Sequence, residues 1–194
     1  MRVGLLSDTH VPEAPGLWPE IFVAFRDVDL ILHAGDLVQV RVLDELEAAA
    51  PVLAAQGNHD LHITDDPRVR PLHLLELEGH TVAMLHYFEP VESRREWQMK
   101  RFLQGVWPDV VVHGDTHFER IDMVAGALCI NPGSATLPRN MTPRLGHVGF
   151  LTLERGKPPR AEIVHLSEFS TVGRNTIEAP PKGGASAQLR ARAD

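Results

Sequence analysis

One cysteine, Cys129, is all that the 194 residues contain, which excludes an internal disulfide and any zinc site built from several thiolates. Long apolar runs are missing as well. Nothing approaches the roughly 18 consecutive apolar residues of a membrane span, and the opening Val3-Gly4-Leu5-Leu6 is too short for a signal sequence. A cytoplasmic protein with no membrane partner is the expectation. Positive charge is scarce too: 19 Lys and Arg against 26 Asp and Glu give a formal charge of −7, without a basic run. A surface that coats a phosphate backbone needs clustered cations, so nucleic acid is not expected as a partner.

Against these absences, 43% hydrophobic and 23% charged residues suit a folded globular chain. Short runs rich in Val, Leu and Ile at Arg2–Leu6, Leu30–Leu32, Val52–Ala55, Thr81–Leu85 and Val110–Val112 predict buried strands. Leu17, Trp18, Ile21, Phe22 and Phe25 mark one helix face, and Val42, Leu43 and Leu46 another, which suggests βαβ units. Ser93 and Glu96 have capping-box spacing and predict a helix over about 93–105. Further strands are expected at Ala127–Ile130, Val148–Leu153 and Glu162–Leu166, giving a mixed sheet or two packed sheets. A single domain over 1–166 should precede a tail, 167–194, whose Pro180-Pro181-Lys182-Gly183-Gly184 stretch cannot bury enough surface to order itself.

The polar residues of interest follow these runs in turn: Asp8 and His10 the first, Asp36 the second, Asn58 the third, His86 the fourth, and His113 to His117 the fifth. Ligands gather at the carboxyl ends of strands, where loop residues stand on a rigid frame. Asp8-x-His10 alone is no more than a surface turn; five segments converging on one edge form a nitrogen and oxygen donor set for metal. Asp36 is the candidate bridge, since a carboxylate can join two cations. Two divalent ions roughly 3.5–4 Å apart would hold a phosphate and acidify a water for in-line attack.

These blocks, taken in order with Gly35-Asp36, Gly57-Asn58-His59-Asp60, Asn131-Pro132-Gly133-Ser134 and Pro138-Arg139, resemble the calcineurin-like metallophosphoesterase superfamily over about 1–166. Within it, the compact bacterial and archaeal YfcE-type phosphodiesterase group is the nearest in pattern. The resemblance implies an α/β fold, a four-layer α/β/β/α sandwich of two mixed sheets flanked by helices. It implies one metal on Asp8, His10, Asp36 and His117 and a second on Asp36, Asn58 and His86, with manganese favoured over iron, zinc, nickel or magnesium. His59 would be the proton donor to the leaving oxygen, oriented by Asp60.

Two departures stand out. Where the family reads Gly-His-x-His, this chain has Gly114-Asp115-Thr116-His117, so Asp115 takes the place of a second-metal histidine, with His113 the other candidate. After His86, a family glycine is replaced by Tyr87 and Phe88, read here as core packing. His33 could support the site from behind; His62, His73, His80, His147 and His165 read as surface or structural residues. Asn131 to Ser134 should form a tight turn, and Arg139 either meets a phosphate or a surface acid.

The expected function is hydrolysis of a phosphodiester or phosphomonoester by a metal-activated water. The 26 residues between His59 and His86 leave no room for a large cap, so the substrate should be small and the cleft open. A homo-oligomer stays open. The competing reading is a protein-binding scaffold of the same fold, similar to a retromer subunit; the retained His59 favours catalysis.

Overall fold

Side-chain alternation along the strands decides the layers. In a computed structural model that describes residues 1–12 and 16–170, eleven strands form two sheets. The first sheet holds β1 (Arg2–Leu6), β2 (Leu30–His33), β3 (Val52–Ala55), β4 (Val69–Arg70), β10 (His147–Thr152) and β11 (Arg160–His165) in the order β11-β10-β1-β2-β3-β4. The second holds β5 (Leu72–Leu77), β6 (His80–Leu85), β7 (Val110–Val112), β8 (Glu119–Val124) and β9 (Ala127–Pro132) in the order β5-β6-β7-β9-β8. Each is mixed: β1, β2, β3 and β4 run parallel, as do β6, β7 and β9, while antiparallel strands flank them.

Because neighbouring residues point to opposite faces, each central strand feeds two cores. Val3, Leu5, Leu30 and Leu32 meet Val82, Met84, Val110, Val112, Leu128 and Ile130 between the sheets. On the outer face of the first sheet, Leu6 and Ile31 pack under α1 (Pro19–Phe25) and α2 (Arg41–Leu46). On the outer face of the second, Ala83, Leu85, Val111 and Cys129 pack with Phe88, Phe102 and Leu103 at α3 (Arg95–Phe102). The result is the expected four layers. Phe25 and Phe150, both buried, meet edge to face at 5.7 Å, and the Phe25 ring occupies the space a side chain on Gly4 would need.

Three strands were not anticipated: β4, β5 and β8. The helix expected over 93–105 is shorter, because Ser93 falls in a 3-10 turn (Glu92–Arg94) and makes no cap. Gln98 ties the helix to the segment before it, accepting the Val91 amide at 3.1 Å and donating to the Glu89 carbonyl at 2.6 Å. Of the expected tail, Leu166–Phe169 forms a 3-10 helix against α1, and 171–194 lie outside the described residues. Among the described residues no helix is long and apolar enough to cross a membrane.

Candidate metal centre

The parallel strands of both sheets end on the same edge, and the loops that leave them carry the polar residues. After β1 come Asp8 and His10, after β2 Asp36, after β3 Asn58 and His59, after β6 His86, and after β7 Asp115 and His117. Backbone bonds lace the first two loops together: the Asp8 amide donates to the Gly35 carbonyl at 2.9 Å and the His10 amide to the Asp36 carbonyl at 3.0 Å. Five of these residues, Asp8, His10, Asp36, Asp115 and His117, have φ between 46° and 72°. That left-handed region is uncommon for residues with a Cβ, though Asp, Asn and His enter it most readily. The turns aim successive side chains back over the strand ends.

The side chains converge closely. Asp36 Oδ2 lies 3.5 Å from His10 Nε2 and 3.4 Å from His86 Nε2. On one side of it, His10 Nε2 is 3.1 Å from His117 Nε2, which is 3.6 Å from Asp8 Oδ1. On the other, His86 Nε2 is 3.0 Å from Asn58 Oδ1 and 3.7 Å from Asp115 Oδ1. Ligand atoms of Asp8, His10 and His117, and of Asp8, Asp36 and His86, fall within 4.8 Å of one another. His10, Asp36 and His59 form a third such group, with the His10 and His59 rings edge to face at 4.9 Å.

Two imidazoles are set for coordination by their far nitrogens. His86 Nδ1 bonds the Ala34 carbonyl at 2.7 Å and His117 Nδ1 the Leu137 carbonyl at 2.8 Å. A carbonyl only accepts, so Nδ1 carries the proton and Nε2 is left facing the centre, the arrangement that orients metal-binding histidine. The carboxylates also fit a cation. Asp8 is fully buried and its Oδ2 has no hydrogen-bond partner, a costly state for a charged oxygen unless a positive group meets it. Burial pushes its carboxyl up to about 6. Burial works against charge at Asp36 too, but the His86 and His59 hydrogen bonds override it and hold Asp36 down at about 2. His86 is the mirror case: burial lowers it, yet Asp36 and Asp8 together raise it to about 9.

Glycines leave room for these groups at two places. A Cβ on Gly57 would fall 2.1 Å from Asp36 Oδ1, and one on Gly114 would fall 1.9 Å from Ser7 Oγ and 2.9 Å from Asp8 Oδ2.

Several expectations need correction. Among the described residues Asp60 makes no hydrogen bond to the His59 ring; its buried carboxylate accepts the amides of Asp36 (2.7 Å), Leu37 (3.2 Å), Val38 (2.8 Å) and Gly57 (3.0 Å). It therefore positions the Asp36 loop. Of the two candidates for the missing histidine, Asp115 is the one that reaches the cluster, with Oδ1 3.7 Å from His86 Nε2. His113 packs 6.2 Å from Phe88, its Nδ1 buried without a partner, and burial lowers it to about 4. Phe88 is core, whereas Tyr87 is 59% exposed at the rim. Arg139 stands 5.8 Å over the Phe118 ring, and among the described residues it forms no ion pair.

The supporting shell was largely missed. Asn131 Nδ2 donates to the Gly114 carbonyl at 2.8 Å and to Thr116 Oγ1 at 3.0 Å, while Ser134 Oγ donates to the Asp8 carbonyl at 2.6 Å and Thr136 to that of Thr9. The Asn131 to Ser134 turn thus ties the Asp8 and Asp115 loops together. Its position at the carboxyl end of β9, a parallel neighbour of β7, was the available signal. Behind the site, His33 accepts from the Gly35 amide and pairs with Thr9 Oγ1 at 3.0 Å.

Comparison with known proteins agrees with this geometry. Residues 1–156 match the calcineurin-like phosphoesterase superfamily domain. A probable metallophosphoesterase of Methanothermobacter thermautotrophicus is 42% identical over 146 residues, 74% of this chain and 82% of the relative. A phosphodiesterase of Methanocaldococcus jannaschii is 29% identical over 146 residues, 69% and 83% of the two chains. In fold, vacuolar protein sorting 29 of Cryptosporidium parvum superposes with a TM-score of 0.64 at 20% identity, over 84% of this chain and 96% of that one. The chain belongs to the calcineurin-like phosphoesterase superfamily and is a metal-dependent phosphoesterase.

Proposed function

We propose that the chain hydrolyses phosphodiesters at a centre of two divalent ions bridged by Asp36. The observation that carries this reading is the position of Asp36 Oδ2, within 3.5 Å of His10 Nε2 on one side and His86 Nε2 on the other. One oxygen is thereby shared by two donor sets. Asp8, His10, Asp36 and His117 would hold the first ion; Asp36, Asn58, His86 and Asp115 would hold the second. When bound, such ions neutralise phosphate charge and acidify water. Oxygen and imidazole donors without thiolate suit manganese, and iron, zinc, nickel or magnesium less selectively.

The protein's own groups then divide the remaining tasks. His59, exposed and set beside His10 on the outer side of the cluster, would give its proton to the departing alkoxide as water's oxygen bonds to phosphorus and the ester P–O bond breaks. The products are an alcohol and a phosphomonoester. Imidazole suits that task because its ordinary pKa lies near neutrality. Asp60 keeps the bridging carboxylate in register, and the Asn131 turn holds both outer loops.

The test is metal content by elemental analysis with hydrolysis of bis(4-nitrophenyl) phosphate, before chelation, after it and after Mn²⁺ is restored. Two ions per chain with activity that follows occupancy is expected. Full activity in stripped protein overturns the reading.

A further inference from the structure

The three large apolar residues on the rim of the metal centre, Leu61, Tyr87 and Phe118, are 70%, 59% and 52% exposed. Each follows a site residue directly, Asp60, His86 and His117 in turn. Exposed apolar surface grouped at one place marks a binding region, whereas scattered single residues do not. Tyr87 and Phe118 belong to one cavity of about 400 Å³, whose wall also includes Phe88, His113, Asp115 and Asn131. That volume lies in the range of small-molecule sites. Asp115 joins the cavity to the metal centre, since its Oδ1 is 3.7 Å from His86 Nε2.

We propose that this cavity is a subsite for a flat aromatic substituent, the one that stays on phosphorus when the diester is cleaved. The proposal rests on the phosphodiesterase reading above. Two exposed aromatic side chains offer π-faces on which a ring stacks, and stacking tolerates many ring types. Arg139 stands over the Phe118 ring and helps to hold it in place. His113 contributes a further wall residue between these rings and Asp115. The assignment to the retained arm comes from His59. It lies by His10 and Asp36 and does not line the cavity, so the cavity is assigned to the arm whose oxygen His59 does not protonate. The favoured substrate is therefore a diester with a nucleobase or aryl group on its retained arm.

Occupancy can be read without turnover. In Mn²⁺-loaded protein, calorimetric titration with phenylphosphonate and methylphosphonate compares one headgroup with and without a ring, and neither carries an ester to hydrolyse. Phenylphosphonate should bind about tenfold tighter, and the ratio should fall to about threefold or less in Tyr87→Ala and in Phe118→Ala, as expected for lost stacking. Met123→Ala, which removes a solvent-facing side chain of β8, should leave the ratio unchanged. In parallel, phenyl 4-nitrophenyl phosphate and methyl 4-nitrophenyl phosphate share a leaving group and differ only in the retained arm; the KM advantage of the phenyl ester should shrink in the same two variants.

No phenyl preference in the wild type, or a preference lost in Leu61→Ala but kept in Phe118→Ala, overturns the subsite. A phenylphosphonate preference that depends on Tyr87 and Phe118, with neither ester hydrolysed, leaves the subsite standing and removes the phosphodiesterase reading.

Discussion

The carboxylate of Asp60 accepts the backbone amide of Asp36 at 2.7 Å, so the residue after the expected proton donor holds the main chain of the proposed bridging ligand. Three further amides, those of Leu37, Val38 and Gly57, close on the same carboxylate. Asp60→Ala would leave these donors buried without partners. Bonds to a charged acceptor contribute roughly 1.5–3 kcal/mol each, and they are not additive, so a loss of about 3 kcal/mol or more is expected, with lower metal occupancy. Urea unfolding and elemental analysis test it. Were the variant as stable and as fully loaded as wild type, yet slower on poor leaving groups, Asp60 would be acting through His59 after all.

His59→Asn should retain both ions, because the remaining donor sets are intact. Turnover on esters with poor leaving groups should fall by roughly 10²–10⁴, the usual cost of losing a general acid. Esters of 4-nitrophenol need little protonation and should lose much less. An equal loss on both classes would show that His59 positions the phosphate, and a lost ion would make it a ligand.

Asp115 and His113 make opposite predictions. With its carboxylate 3.7 Å from His86 Nε2, Asp115 should support the second ion, so Asp115→Ala should lower metal content from two toward one. His113→Ala, a change behind the Phe88 side of the loop, should not. A carboxylate ligand donates more negative charge than an imidazole and raises the pKa of nearby water, so Asp115→His should shift the optimum of the pH–rate profile downward. Retention of both ions in Asp115→Ala alongside loss in His113→Ala would reverse the assignment.

The metal-free protein should show a distinctive pH response. His86 is raised to about 9 from an ordinary 6.5, against its own burial, by Asp36 and Asp8. A raised histidine stabilises the fold fully below its unfolded pKa and loses that contribution as pH climbs through the folded value. Chelated protein should therefore lose stability between about pH 6.5 and 9, on the order of 3 kcal/mol from this group. Metal needs the neutral ring, so loading at pH 7 should release about one proton from His86. Calorimetry in buffers of different ionisation enthalpy measures that release; none detected would mean the ring is already neutral.

Much of the frame was legible in the sequence because buried parallel strands write themselves as short Val, Leu and Ile runs, and the site residues sit at their ends. What escaped notice lies at the sheet edges. β8 reads Glu119-Arg120-Ile121-Asp122-Met123-Val124, with Ile121 and Met123 exposed, so no apolar face announces it. The turns were better signals: Glu78-Gly79 and Ala125-Gly126 both have positive φ at each residue, the two-residue hairpin that joins β5 to β6 and β8 to β9. The role of Asp60 was hidden for another reason. Its partners are backbone amides from Gly57 and from more than twenty residues upstream, and an amide leaves no mark on residue type.

The left-handed backbone at Asp8, His10, Asp36, Asp115 and His117 restricts any redesign of the centre. An exchange at these positions must satisfy the proposed coordination and main-chain torsion together, and only Asp, Asn and His meet both demands with ease. Glu or Gln would bring the right oxygen on a chain whose turn resists it. The Asp115 substitution stays inside that short alphabet, and a library for altering metal preference could be confined to three letters at five positions.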